Sequence, residues 1–112
     1  MDPGYENRPG NYLESSGTGM FIYGLLKALR LGYLEGDKYR CAALEAWTLM
    51  KDTFATRSET DNILNLDWTV QTGSLSSNGT YEYYISMPLF QNDLKGVAPF
   101  LFSSYEAELL NQ

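Results

Sequence analysis

The chain has 112 residues, 44% hydrophobic and 20% charged, an ordinary globular composition that fits one domain and excludes disorder as the main state. With 14 acidic against 8 basic residues, net -6, and no cluster of Lys and Arg, it offers no surface for nucleic-acid phosphates. The absence of His removes the usual first-row metal ligands, and a lone cysteine, Cys41, rules out an intrachain disulfide, so neither a metal nor another cofactor is expected.

Residues 1 to 14 read as loop. The first of them, Met1 to Gly10, are polar and turn-rich, without the basic start and apolar core of a secretory signal; no compartment follows from this. A helix of about 18 residues is expected from Ser15 or Ser16 to Tyr33. From Met20 to Leu34 only Lys27 and Arg30 carry charge, and Met20, Phe21, Ile22, Tyr23, Leu25, Leu26, Ala28, Leu29 and Leu31 cover almost the whole circumference. Such a helix is expected to be buried on all sides. The run is interrupted by charge and is shorter than the roughly 20 residues that cross a bilayer, so no membrane span is expected.

Glu35-Gly36-Asp37 supplies a stop, a turn and a cap, with Asp37 expected to accept from the first N–H groups of a second, antiparallel helix. In that helix Tyr39, Ala42, Ala43, Ala46, Trp47 and Met50 form one apolar stripe. Ala55 to Asn62 reads as a polar loop. Leu66, Trp68 and Val70 alternate with Asp67, Thr69 and Gln71, the period of a half-buried strand. Across the turn residues Gly73 to Gly79, Tyr81 to Ser86 is expected to form its antiparallel partner. Asn78-Gly79-Thr80 matches a glycosylation sequon, a triplet that arises often by chance. A last helix is expected from Val97 or Ala98 to Leu109, with Pro99 in its first turn.

Two clusters could contact a ligand. Glu14, Ser15, Ser16, Gly17 and Thr18 stand at a helix start, where free N–H groups and the positive end of the dipole favour an anion; capping explains the same residue types. Asp93, Lys95 and Gly96 precede the last helix, and Lys95 is either a point charge for an anionic ligand or a solvated loop lysine. Trp47 belongs to the core, and Trp68, Tyr81, Tyr83 and Tyr84 read as packing residues that could also stack on a ligand. Asp52, Glu59, Asp61, Asp67, Glu82 and Asp93 are scattered, with none on a buried helical face, so no pair of catalytic carboxylates is expected.

Several ordered segments together resemble a known family: Asn11 to Phe21 (NYLESSGTGMF), Leu31-Gly32-Tyr33-Leu34, Tyr39 with Ala46-Trp47, Gly79 to Tyr84 (GTYEYY), and Asn92 to Leu101 (NDLKGVAPFL). They are similar to the carboxy-terminal third of unsaturated rhamnogalacturonyl hydrolases, glycoside hydrolase family 105, with the related family 88 unsaturated glucuronyl hydrolases behind them. The likeness runs from about residue 10 to residue 109. Gln71-Thr72, where many relatives carry a small residue, and Ala98, in place of an expected glycine, depart from the pattern.

The resemblance implies an all-α fold: a partial (α/α)6 toroid of the six-hairpin glycosidase type with a short β-hairpin insertion, residues 1–112 forming one partial, carboxy-terminal domain. It implies a substrate, the unsaturated galacturonyl residue of pectin-derived rhamnogalacturonan oligosaccharides. It also implies that the catalytic Asp lies in an amino-terminal part outside this chain, so that no residue here is catalytic. Inner-helix amino ends in such toroids face the substrate cleft, which makes Glu14, Ser15, Ser16, Asp93, Lys95 and Gly96 the expected substrate contacts. Self-association through exposed inner helices is a further expectation. The alternative is a non-catalytic helical interaction or carbohydrate-binding module.

Overall fold

The computed structural model describes Gly4, residues 6–74, Ser76 and residues 79–110; the Asn78 sequon lies outside the described residues. The first helix, α1, is Ser15–Arg30. It ends short of the expected Tyr33 because Gly32, at φ +73°, takes the left-handed position that closes a helix. Its N–H donates to the Leu29 carbonyl at 3.2 Å and that of Tyr33 to Ala28 at 2.9 Å, the paired bonds of a Schellman stop. The second helix, α2, is Asp37–Phe54. Gly36 is its N-cap, so Asp37 is not the cap but the first helical residue, its carboxylate at the positive end of the dipole.

A short helix, α3, spans Tyr81–Ile85, and α4 runs Leu94–Leu110. Helix α4 begins before the expected Val97 because Asp93 caps it: its Oδ1 accepts from Lys95 N–H at 2.8 Å, and its carbonyl accepts from the N–H groups of Gly96 and Val97. Pro99 is therefore buried within the helix rather than in its first turn.

Helices α1 and α4 lie side by side and parallel. Near their amino ends Ser103 Oγ donates to the Gly19 carbonyl at 3.0 Å, and a side chain on Gly19 would begin 3.2 Å from Pro99 Cβ. Toward their carboxy ends Arg30 meets Glu106. Helix α2 runs antiparallel to both, with Met50 against Gly19 and Arg40 donating to the Leu110 carbonyl at 2.9 Å. The expected stripe of α2 is buried at Ala43, Trp47 and Met50, while Tyr39 and Ala42 stay exposed. Ile22, Leu26, Ala43, Trp47, Met50, Phe54, Leu66 and Ala107 form the core.

The strands differ from the sequence expectation. Ala55–Arg57 is not loop but β1, paired antiparallel with β2, Leu64–Leu66. Thr69–Val70, β3, pairs with β4, Leu89–Phe90, and not with Tyr81 to Ser86. That aromatic segment is helical because Thr80 Oγ1 caps it, accepting from Tyr83 N–H at 3.2 Å. The expected alternation also breaks at Trp68, whose φ is +65°: Thr69 and Val70 are both buried, while Trp68 is 46% exposed.

Helix α1 is not buried all round, since Met20 and Phe21 are exposed. On α4, Leu94, Leu101, Phe102 and Tyr105 are exposed, at spacings that place them on one face. A ring contact of 5.5 Å between Tyr23 and Phe102 carries this apolar stripe up to α1.

Candidate substrate-binding site

Strand β3 ties the amino ends of α1 and α4 together. From α1, Glu14 reaches it with Oε1, which accepts from Val70 N–H at 3.1 Å, and Ser15 Oγ shares a hydrogen bond of 2.8 Å with Thr69 Oγ1. Ser15 N–H also donates to the Trp68 carbonyl at 3.0 Å. From α4, the Lys95 ammonium donates to the Val70 carbonyl and lies 3.5 Å from Thr72 Oγ1. Gly96 packs under Thr69 so closely that a Cβ would fall 2.1 Å from its Oγ1. Glu14, Ser15, Lys95 and Gly96 therefore converge on β3, and Ser16 and Asp93 stand beside them as cap partners.

The geometry assigns most of these groups a holding role. The Glu14 carboxylate accepts from Ser16 N–H at 3.0 Å, Ser16 Oγ at 2.6 Å and Gly17 N–H at 2.7 Å, so the α1 amino end is already occupied by an anion of its own. Burial acts to raise the Glu14 carboxyl, but the hydrogen bonds from Ser16, Gly17 and Val70 together outweigh it and hold the group below its ordinary value. It is ionised at neutral pH. Ser15 and Ser16 are buried, and the first N–H groups of α4 are taken by Asp93. Lys95 is half-buried, and its ammonium carries three donors, not all of which Val70 and Thr72 require.

The residues that sequence reading missed are on β3. Thr69 and Gln71 were placed on the wet side of a regular strand, yet Thr69 is the buried hub between the two helix ends. The chain carried one signal for this: Gly96, whose lack of a side chain makes the approach of Thr69 feasible. Glu106 was also missed. It is 3% exposed on α4 and bound by Arg30 through Nε at 2.5 Å and a terminal nitrogen at 2.9 Å. The Arg30 hydrogen bonds hold its carboxyl below the ordinary value against the opposing effect of burial. Glu14 and Glu106 stand at opposite ends of α1, so these two do not form a catalytic pair.

Away from this cluster, an open, largely apolar groove of about 350 Å3 lies between Leu13 and Thr18 on one side and Ala46, Leu49, Met50, Thr53 and Phe54 on the other. Ahead of α1, Arg8 stacks over the Tyr81 ring at 4.0 Å and pairs with Glu82 at 2.7 Å, and Tyr12 stacks on Tyr84 at 5.9 Å. These contacts bind the amino-terminal loop to α3. Among the described residues there is no group of His, Cys, Asp and Glu suited to a metal ion, and no helix is long and apolar enough to cross a membrane.

Comparison with known proteins agrees with this architecture. A glycoside hydrolase of family 105 from C. acetobutylicum superposes with a TM-score of 0.84 at 40% sequence identity, over 91% of this chain and 29% of that one. The mostly helical layout with short hairpins is thus a partial α/α toroid. Protein Atu3128 of Agrobacterium fabrum and the 24.9 kDa protein in picA locus of Rhizobium radiobacter are each 34% identical over 109 residues, 90% of this chain and 47% of theirs. The chain therefore spans about half the length of these curated relatives. The description of Glycosyl Hydrolase Family 88 matches residues 5–110, and the chain belongs to that family.

Proposed function

We propose that the chain is the carboxy-terminal portion of a glycoside hydrolase acting on unsaturated galacturonyl residues of pectin-derived rhamnogalacturonan oligosaccharides, where it lines the cleft and does not supply the proton donor. The observation that carries this reading is the junction of two parallel helix amino ends on β3, with Lys95 beside Val70 and Thr72. With both helix starts capped by carboxylates of the chain, it is the Lys95 ammonium, with a donor to spare, that favours an anionic sugar at that junction. Glu14 occupies the α1 end, so the uronate carboxylate belongs nearer Lys95, where the ammonium balances its charge. Ser15, Ser16, Asp93 and Gly96 then act by holding the two helix starts in register around it, and the acid that protonates the enol ether comes from an amino-terminal part outside this chain.

The test follows the ultraviolet absorbance of the conjugated enol ether in unsaturated rhamnogalacturonan disaccharide. The 112-residue chain should leave the absorbance unchanged, and addition of the remaining amino-terminal part of a family 105 toroid should produce its decay. Lys95→Ala in that mixture should raise KM for the uronyl substrate. Turnover by the chain alone defeats the reading, as does a reconstituted enzyme indifferent to Lys95.

A second reading, a non-catalytic helical module that buries its inner helices against a partner, is favoured by the exposed apolar stripe of α4. It requires binding without turnover in any mixture that restores the toroid.

A further inference from the structure

We propose that Trp68 is a stacking platform for a pyranose ring at the mouth of this junction; the ligand class rests on the carbohydrate reading above. Among the described residues, three other than glycine have positive φ: Asn62 at +60°, Asn92 at +59° and Trp68 at +65°. Asparagine visits this region routinely, but a bulky aromatic does so at a cost in strain. The fold imposes it from both sides. Asp67 N–H donates to the Phe54 carbonyl at 2.8 Å, and the Trp68 carbonyl accepts from Ser15 N–H at 3.0 Å. The Asp67 carboxylate is gripped by Thr56 and Gln91, both at 2.7 Å.

The strain has a geometric consequence. Along a regular strand Leu66, Trp68 and Val70 would share one face, and Leu66 and Val70 are indeed buried, at 5% and 8% exposure. The left-handed residue between them breaks the alternation and leaves the indole 46% exposed, whereas Trp47 is 9% exposed in the core. A large apolar ring is thus held out of the core on a pinned backbone, bonded through its own carbonyl to the first residue of α1 and two positions from the Val70 carbonyl that holds Lys95. A flat, half-exposed indole two residues from the strand position that holds a cation suits a uronyl sugar, which presents an apolar ring face and a carboxylate. Strained residues that the surroundings over-determine cluster at ligand sites.

The experiment uses the 112-residue chain with Trp47→Phe, which leaves Trp68 as the single indole, titrated with unsaturated rhamnogalacturonan disaccharide. Saturable change in tryptophan emission is expected. By calorimetry, Trp68→Gly should weaken binding of the same sugar at least tenfold, on the order of the loss of one aromatic contact, while Trp68→Phe should retain most of it. Trp68→Gly should also melt no lower than Trp68→Ala, because glycine relieves the left-handed backbone. Sugar binding that is undiminished in Trp68→Gly overturns the platform and leaves the carbohydrate reading intact. A chain with Trp68 in place that binds no sugar overturns the platform, while the carbohydrate reading stands or falls by Lys95-dependent turnover in the reconstituted mixture, and a Trp68→Ala protein more stable than Trp68→Gly removes the strain on which the platform rests.

Discussion

Gly96 and Thr69 occupy nearly the same space: a Cβ built on Gly96 would stand 2.1 Å from Thr69 Oγ1 and 3.2 Å from its Cβ. This single approach lets α4 start against β3 and brings Lys95 to the Val70 carbonyl. Gly96→Ala must push the strand or the helix aside, at a cost of about 1–3 kcal/mol for overpacking. Thr69→Ala alone loses the buried bond to Ser15, worth about 1–3 kcal/mol when its partner is left unsatisfied. Since the same oxygen causes both effects, the double variant should lose less than the sum of the two. Urea denaturation of the four proteins measures this, and strict additivity would place Gly96 away from Thr69.

At the other end of α1, the Arg30 guanidinium grips Glu106 with two bonds of 2.5 and 2.9 Å. Its own side chain is 31% exposed, against 4% for Glu106, so removing it opens the carboxylate to water. Arg30→Ala should therefore lower the melting temperature, but by less than the breaking of a fully buried pair would. Arg30→Lys should recover only part of this, because an ammonium cannot reproduce the fork. Thermal melts of both variants decide it; indifference to Arg30→Ala would mean that Glu106 is not buried.

The helices were legible because their signals are local. The stripe through Ala43, Trp47 and Met50 follows from spacing, whereas the stop at Gly32 was passed over in favour of Gly36, so α1 ends earlier than expected. The strands were not. Tyr81 to Tyr84 have the composition of a strand, and it is Thr80 that turns them into a helix; a cap outweighs propensity in so short a segment. The alternation through Leu66, Trp68 and Val70 misplaced Trp68 and Thr69, because a left-handed residue inside a strand leaves no mark in hydrophobic period. The candidate residues were found as two separate sequence clusters, and that β3 joins them is a long-range fact. Glu106 escaped notice since its partner lies 76 positions away.

Acid should act through Glu14 and Glu106, both held below their ordinary value of 4.5. A depressed carboxyl contributes stability that is fully present above its unfolded value and is lost as pH falls through its folded value. Melting temperature should be flat from pH 7 to about 5 in this respect and should decline below it. Glu14→Gln keeps one acceptor oxygen but loses the charge, and at pH 7 it should cost about 0.5–2 kcal/mol as a lost cap. The difference should shrink as pH falls below 4.5 and Glu14 takes up its proton. A constant difference between the two proteins across this range would show that the Glu14 charge does not stabilise α1.

The apolar stripe of α4 bears on how the chain behaves alone. Leu94, Leu101, Phe102 and Tyr105 are 79%, 59%, 55% and 60% exposed, and contiguous apolar patches of several hundred Å2 are rare on soluble monomers. In a completed toroid neighbouring helices would cover such a face, and in their absence a second copy of the chain is the nearest apolar surface. At micromolar concentration the 112-residue protein should therefore self-associate. Leu101→Glu with Phe102→Glu should shift it toward monomer, since charge on the stripe opposes association. Because both side chains are already exposed, the cost in stability should stay within about 0.5 kcal/mol per site, apart from the lost Tyr23 ring contact. Light scattering after size exclusion reads the mass directly. A monodisperse monomer of the unaltered chain would mean that the stripe does not drive association, and an unchanged oligomer in the double variant would move the contact to another face.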